Sequence, residues 1–202
     1  MKEDILEQLV EDYLQNKGYF TMHNVKFKPT KGAVGYEATK DSASSDIDVI
    51  GLNPLLKGFG RVWVVSCKSW QSGFNPAQWI SGIKDNKLIN GRSAWKTFRE
   101  LADTKWADAF LAKIEELTGA RSFTYVLAVT KLKGDQSGWI GHEKFKKNLH
   151  GNPIKILPVK EILEYMSTKT AKTVAPSDVG RLLQVIKASG WQKEKDSDSG
   201  VK

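Results

Sequence analysis

Asp46 and Asp48 in Ser45-Asp46-Ile47-Asp48-Val49-Ile50-Gly51-Leu52, with Ser66 and Lys68 in Arg61-Val62-Trp63-Val64-Val65-Ser66-Cys67-Lys68-Ser69-Trp70, are the residues whose types and spacing suit chemistry. Both segments are short apolar runs rich in β-branched residues, the pattern of buried strands. Between them Asn53-Pro54, Gly58 and Gly60 supply a turn, which predicts an antiparallel hairpin. Alternation along the second strand puts Val62, Val64, Ser66 and Lys68 on one face and Trp63, Val65 and Cys67 on the other. Antiparallel pairing sets the start of the first strand, with its two aspartates, beside the end of the second. An acid, a hydroxyl and an amine then meet at one end of a sheet, an arrangement suited to metal-assisted phosphodiester chemistry.

Ile47-Asp48-Val49-Ile50 followed by Val64-Val65-Ser66-Cys67-Lys68-Ser69-Trp70 resembles the PD-(D/E)xK nuclease superfamily, most closely its Mrr-like, restriction endonuclease-like branch. That branch carries an Ile-Asp-Val-Ile strand and then an apolar strand ending in an acid or Gln, any residue, and Lys. The resemblance implies a metal-dependent DNA endonuclease with Mg²⁺ or Mn²⁺ as cofactor. It puts the metal-binding acid on Asp48, the catalytic amine on Lys68, and a metal-ligating backbone carbonyl on Cys67. Ser66 stands where the family has Glu, Asp or Gln, so the metal needs another carboxylate. A helix-borne Glu is one family solution, and Glu7 fits it best, with Glu3 second. Glu37, in the loop before Asp48, is another candidate. Family members with Ser-x-Lys recruit an acid from the following helix; Gly82 lies near that position and Asp85 one turn on. The rival expectation is a nuclease-fold DNA-binding module that has lost catalysis, with Ser66 as the scar.

Composition narrows the class. The chain has 202 residues, 40% of them hydrophobic, enough for one ordinary domain. Lys and Arg number 31 against 23 Asp and Glu, a formal charge of +8 that favours a polyanionic partner. Lys31 and Lys40 in one loop, and Lys131 and Lys133 in another, are the expected nucleic-acid contacts. Cys67 is the single cysteine, so no intrachain disulfide forms. With no apolar leader and no apolar run of spanning length, the expectation is a cytoplasmic protein without membrane contact. DNA is the expected partner, and a homodimer is compatible with it.

The supporting elements follow from periodicity. Residues 3–17 read as an amphipathic helix carrying Ile5, Leu6, Leu9, Val10, Tyr13 and Leu14, stopped at Gly18. Tyr19 to Lys28 reads as a strand, and Lys31 to Ser44 as a loop walling the cleft. Asn75 caps a helix from Pro76 to about Lys87. Residues 93–118 form a helical stretch with a break near Thr104; relative to the resembled family it is an insertion, about 90–119. Its aromatics, Trp95, Phe98, Trp106 and Phe110, read as packing. Phe123 to Thr130 is an interior strand, Trp139 to Leu149 a helix, and Ile154 to Leu157 a last strand. Val159 to Met166 and Pro176 to Ser189 are closing helices, the second with Val179, Leu182, Leu183 and Ile186 inward. The whole predicts an α/β fold, a restriction-endonuclease-like α/β/α sandwich around a mixed sheet, with residues 1–190 as one domain. Residues 191–202, polar and charged, are expected to be a disordered tail.

Overall fold

A computed structural model describes residues 4–89, 91–169, 175 and 177–190. In chain order its elements are α1 (Ile5–Asn16), β1 (Phe20–Phe27), α2 (Ala38–Asp41), β2 (Ser45–Leu52), β3 (Val62–Lys68) and α3 (Pro76–Lys84). There follow β4 (Leu88–Ile89), β5 (Arg92–Ser93), α4 (Ala94–Thr97), α5 (Arg99–Ala102), α6 (Thr104–Thr118) and β6 (Thr124–Val129). The chain closes with α7 (Ser137–Ile140), α8 (Glu143–Asn148), β7 (Ile154–Pro158), α9 (Val159–Lys169) and α10 (Asp178–Ala188).

Five strands form one mixed sheet in the order β1-β2-β3-β6-β7. The β1–β2 and β2–β3 pairs are antiparallel, and β3–β6 and β6–β7 are parallel. Strand alternation sends apolar residues to both faces, so each needs a helical cover. Val49, Val65, Val126, Ala128 and Leu157 meet α1 and α9, where Leu6, Val10, Tyr13, Ile162 and Met166 are buried. On the other face Ile50, Val64, Leu127 and Ile156 meet the helices between α3 and α8, including Trp79, Phe98, Trp106 and Trp139. Val62 and Val64 fall in one core and Val65 in the other, as alternation requires. The fold class is therefore α/β with a mixed central sheet, compatible with an α/β/α sandwich.

Several elements depart from the periodicity. Residues 93–118 are three helices, because the backbone leaves helical geometry at Phe98 (φ −134°, ψ 50°) and again at Asp103. Residues 139–149 divide into α7 and α8 at Gly141. α3 ends three residues early, and the β4–β5 hairpin follows it. Ile5 and Leu182, both expected inward, are 68% and 58% exposed. In α10 it is Val179 and Leu183 that reach the core. The Asn75 side chain does cap α3, accepting from Gln78 N–H at 3.2 Å. Glu3, Pro176 and the 191–202 tail lie outside the described residues. Among the described residues no helix is long and apolar enough to cross a membrane.

Candidate active site

Asp48 sits where the sheet's hydrogen-bond ladder lapses on both sides. Pairing with β1 runs His23↔Val49 and Val25↔Ile47 but skips Asn24, which lies opposite Asp48. Asn24 has φ +51°, a left-handed backbone uncommon outside glycine and costly inside a strand. Side-chain alternation slips there: Ile47 and Ile50 enter the same core, as do Val25 and Met22 opposite them. On the other side, pairing with β3 ends at Val49↔Val65. The next inward-facing amide of β3, Cys67 N–H, donates instead to Asp48 Oδ2 at 2.6 Å. The Cys67 carbonyl points to the same edge of its strand as that amide, hence into the gap beside Asp48.

α1 brings further acids to this corner. Asp4 caps the helix, its Oδ1 accepting from Leu6 N–H at 2.8 Å, while Oδ2 accepts from the Ser69 hydroxyl at 2.6 Å. One cap thus pins the helix start to the residue that follows β3. Glu7, one turn on and half-buried, then faces Asp48. Burial, with Asp48, Asp4 and Asp46 adding to it, raises the Glu7 carboxyl from 4.5 to about 7. Burial also raises Asp48; Lys68 and the Cys67 amide oppose that rise, and Asp46 and Asp4 reinforce it.

A cavity of about 690 Å³ opens over this end of the sheet, lined by Asp46, Asp48, Ser66, Lys68 and Glu100 among others. Lys68 Nζ stands 5.9 Å from the Phe98 ring centroid. Among the described residues it has no hydrogen-bond partner, and its charge reaches both Asp48 and Glu100. Glu100, on α5, is 6% exposed and accepts from Tyr125 Oη at 2.6 Å. Burial raises its carboxyl, with the Tyr125 bond and Lys68 pulling the other way. Ser66, opposite Leu127 on β6, works against the burial-driven rise of the Tyr125 phenol. Ser66, read as a cleft hydroxyl beside the metal, lines the cavity next to the Tyr125–Glu100 pair.

The structure brings Asp48, Ser66 and Lys68 to one cavity beside the Cys67 backbone, while Glu7 feels the Asp48 charge from α1 without lining that cavity. It does not bring in Glu37 or Asp85. Glu37 is exposed and paired to Lys40 Nζ at 2.7 Å, and Asp85 is exposed and paired to Lys87 Nζ at 2.7 Å. The Cys67 thiol faces the α1 side and burial pushes it well up, leaving it inert. Lys31, Lys131 and Lys133 are exposed on loops and Lys40 on α2, a short helix within the stretch expected to be loop, all outside the cavity wall. The cations on that wall are Lys68, Arg92, Lys96 and Arg99.

Glu100 is the residue that sequence reasoning missed, and Gly82 explains its origin. A Cβ at Gly82 would lie 2.6 Å from Ile89 Cδ1 and 3.2 Å from the Ala94 Cβ. The hairpin and α4 fill the space where an acid at position 82 would project, and the stretch that continues from them supplies Glu100. The one signal in the sequence was an Arg99-Glu100 pair inside an otherwise apolar run.

The donor types suit a hard divalent cation: the Asp48 carboxylate, with Glu100 on the same cavity wall and Glu7 near enough to feel the Asp48 charge. Among the described residues no three metal-ligating side chains stand close enough to form a ready cage. Mg²⁺ is ordinarily held by one or two carboxylates with water and phosphate, so the set suits it. No known family, curated protein or solved structure matches this chain.

Proposed function

We propose that this protein is a metal-dependent DNA endonuclease with a restriction-endonuclease-like fold of the PD-(D/E)xK kind, acting in the cytoplasm on DNA. The observation that carries the reading is Asp48, held by the Cys67 amide at a lapse in the sheet, in a cavity wall it shares with Lys68 and Glu100. The sheet order, an antiparallel hairpin leading through inserted helices to a parallel strand, supports the fold assignment.

Mg²⁺ or Mn²⁺, when bound, supplies Lewis-acid polarisation of the phosphate and a more acidic water. Asp48 anchors it: with Oδ2 held by Cys67 N–H, Oδ1 has no protein donor among the described residues. Glu100 provides the acid missing at Ser66, its oxygen oriented by Tyr125. Lys68, on the same face as Ser66, places a cation where negative charge grows on the phosphoryl oxygens and orients the attacking water. Glu7 adds charge beside Asp48 once it loses its proton, near neutral pH.

Supercoiled plasmid with Mg²⁺ or Mn²⁺ tests the reading. The protein should nick it, and Asp48→Asn and Lys68→Ala should stop nicking while melting within a few degrees of the parent and still retarding DNA. A parent protein that only retards the plasmid is instead a binding module. The scarcity of a ready three-ligand group among the described residues is what favours that second reading.

A further inference from the structure

Arg99 lines the cavity beside Glu100. Its guanidinium lies 4.5 Å from the centroid of the buried Trp106 ring, which fixes its plane. Nε and Nη1 are sealed from solvent and have no hydrogen-bond partner among the described residues. The acids that feel its charge, Asp41 and Glu100, are committed elsewhere. Asp41 accepts from Trp106 Nε1 at 2.9 Å, from Lys105 Nζ at 2.8 Å and from Glu37 N–H at 2.8 Å. Glu100 accepts from Tyr125. A guanidinium keeps its proton even when burial disfavours it, so the charge stays in place. Buried donors without partners are rare in folded proteins, and Nη2, which is not sealed with them, leaves the guanidinium open to a partner from the cavity.

The cavity says what that partner is. Four cations, Lys68, Arg92, Lys96 and Arg99, share the wall with three acids, Asp46, Asp48 and Glu100, and Asp46 is already paired to Lys26 Nζ at 2.8 Å. An anion with two oxygens on one centre matches the guanidinium fork. We propose that Arg99 grips a phosphate group of the substrate backbone and so positions the strand over Asp48, Glu100 and Lys68. This rests on the phosphodiester reading of the cleft and adds to it a positioning residue supplied by the inserted helices.

Arg99→Met keeps a stem over Trp106 and removes the charge, whereas Arg99→Lys keeps the charge and removes the fork. Three readouts are needed: melting with and without inorganic phosphate, binding of a blunt duplex oligonucleotide in Ca²⁺ across a salt series, and steady-state nicking. In the parent, phosphate should raise the melting temperature. Arg99→Met should lose that rise while melting, without phosphate, no lower than the parent. Its duplex affinity should fall about ten- to a hundredfold, and the salt slope should shrink by about one. KM should rise more than kcat falls, and Arg99→Lys should recover part of the affinity. If Arg99→Met melts lower and still responds to phosphate, Arg99 is a structural cation and the proposal is wrong. Unchanged duplex affinity and salt slope would overturn it equally. Asp48→Asn, measured alongside, should keep the phosphate response, so a chain that never nicks but loses that response in Arg99→Met retains the clamp without the nuclease.

Discussion

Removing the charge of Glu7 should stabilise the protein above neutral pH in the absence of metal. Its carboxyl titrates at about 7 in the fold against 4.5 for an ordinary glutamate, chiefly through burial and then through Asp48, Asp4 and Asp46. A carboxyl raised in this way binds its proton more tightly folded than unfolded. Its contribution is complete below about pH 4.5 and is lost as the pH climbs through about 7. At 1.36 kcal/mol per pH unit that interval corresponds to about 3.4 kcal/mol. Glu7 is only half-buried, so solvent screening leaves about 1–2 kcal/mol of it. Glu7→Gln should therefore melt about 2–8 °C above the parent at pH 8 with EDTA, and within a degree of it at pH 4.5. Adding Mg²⁺ at pH 8 should stabilise the parent more than Glu7→Gln, narrowing or reversing the gap. Thermal melts over pH 4.5–9 measure all of this. A variant that melts below the parent at pH 8, or by the same offset at every pH, would refute the placement of Glu7 among these acids.

Other substitutions probe the rest of the corner. Glu100→Gln should weaken Mn²⁺ binding tenfold or more and cut nicking about a hundredfold without lowering the melting temperature, with Tyr125→Phe intermediate; calorimetric titration and plasmid nicking read both. Ser66→Glu, which restores the expected acid, should leave activity level or lower it, because Glu100 already brings a carboxylate to that side and crowded acids raise each other's pKa. In a Glu100→Gln background the same Ser66→Glu change should recover metal binding, and failure to do so would remove Glu100 from the site. Asp41→Asn should melt roughly 6–12 °C lower, since Lys105 would then be left without its buried partner, at 13% exposure.

The strands that hold Asp48 and Lys68 were legible because period-two alternation is local. Ile47 to Ile50 and Val62 to Lys68 announce their faces whatever else the chain does. Glu7 was also legible, since an uninterrupted α1 keeps one helical phase from Asp4 to Tyr13. Glu100 was not. Continuing the stripe of Trp95, Phe98 and Leu101 as one helix turns Glu100 away from the core, whereas the break at Phe98 resets the phase and turns it inward. The lapse at Asn24 was equally hidden, because a left-handed residue within a strand is set by its neighbours in space. Lys131 and Lys133 attracted notice as a basic loop. The further cations facing the cavity, Arg92, Lys96 and Arg99, are scattered through an aromatic-rich stretch that read chiefly as packing.

The lapse beside Asp48 also divides the sheet mechanically. Elsewhere the interior strands spend their amides and carbonyls on their neighbours, leaving none for a visitor. Where β2 parts from both flanking strands, main-chain oxygen becomes available to a hard cation without any strand having to move. The same corner is the softest seam of an otherwise stiff layer. Amides of Asn24 and Asp48 should trade their hydrogens with solvent well ahead of those of β6 from Tyr125 to Val129, which are paired on both sides. Bound metal would act as the missing stitch, and the slowing of exchange at that seam alone would mark where it sits.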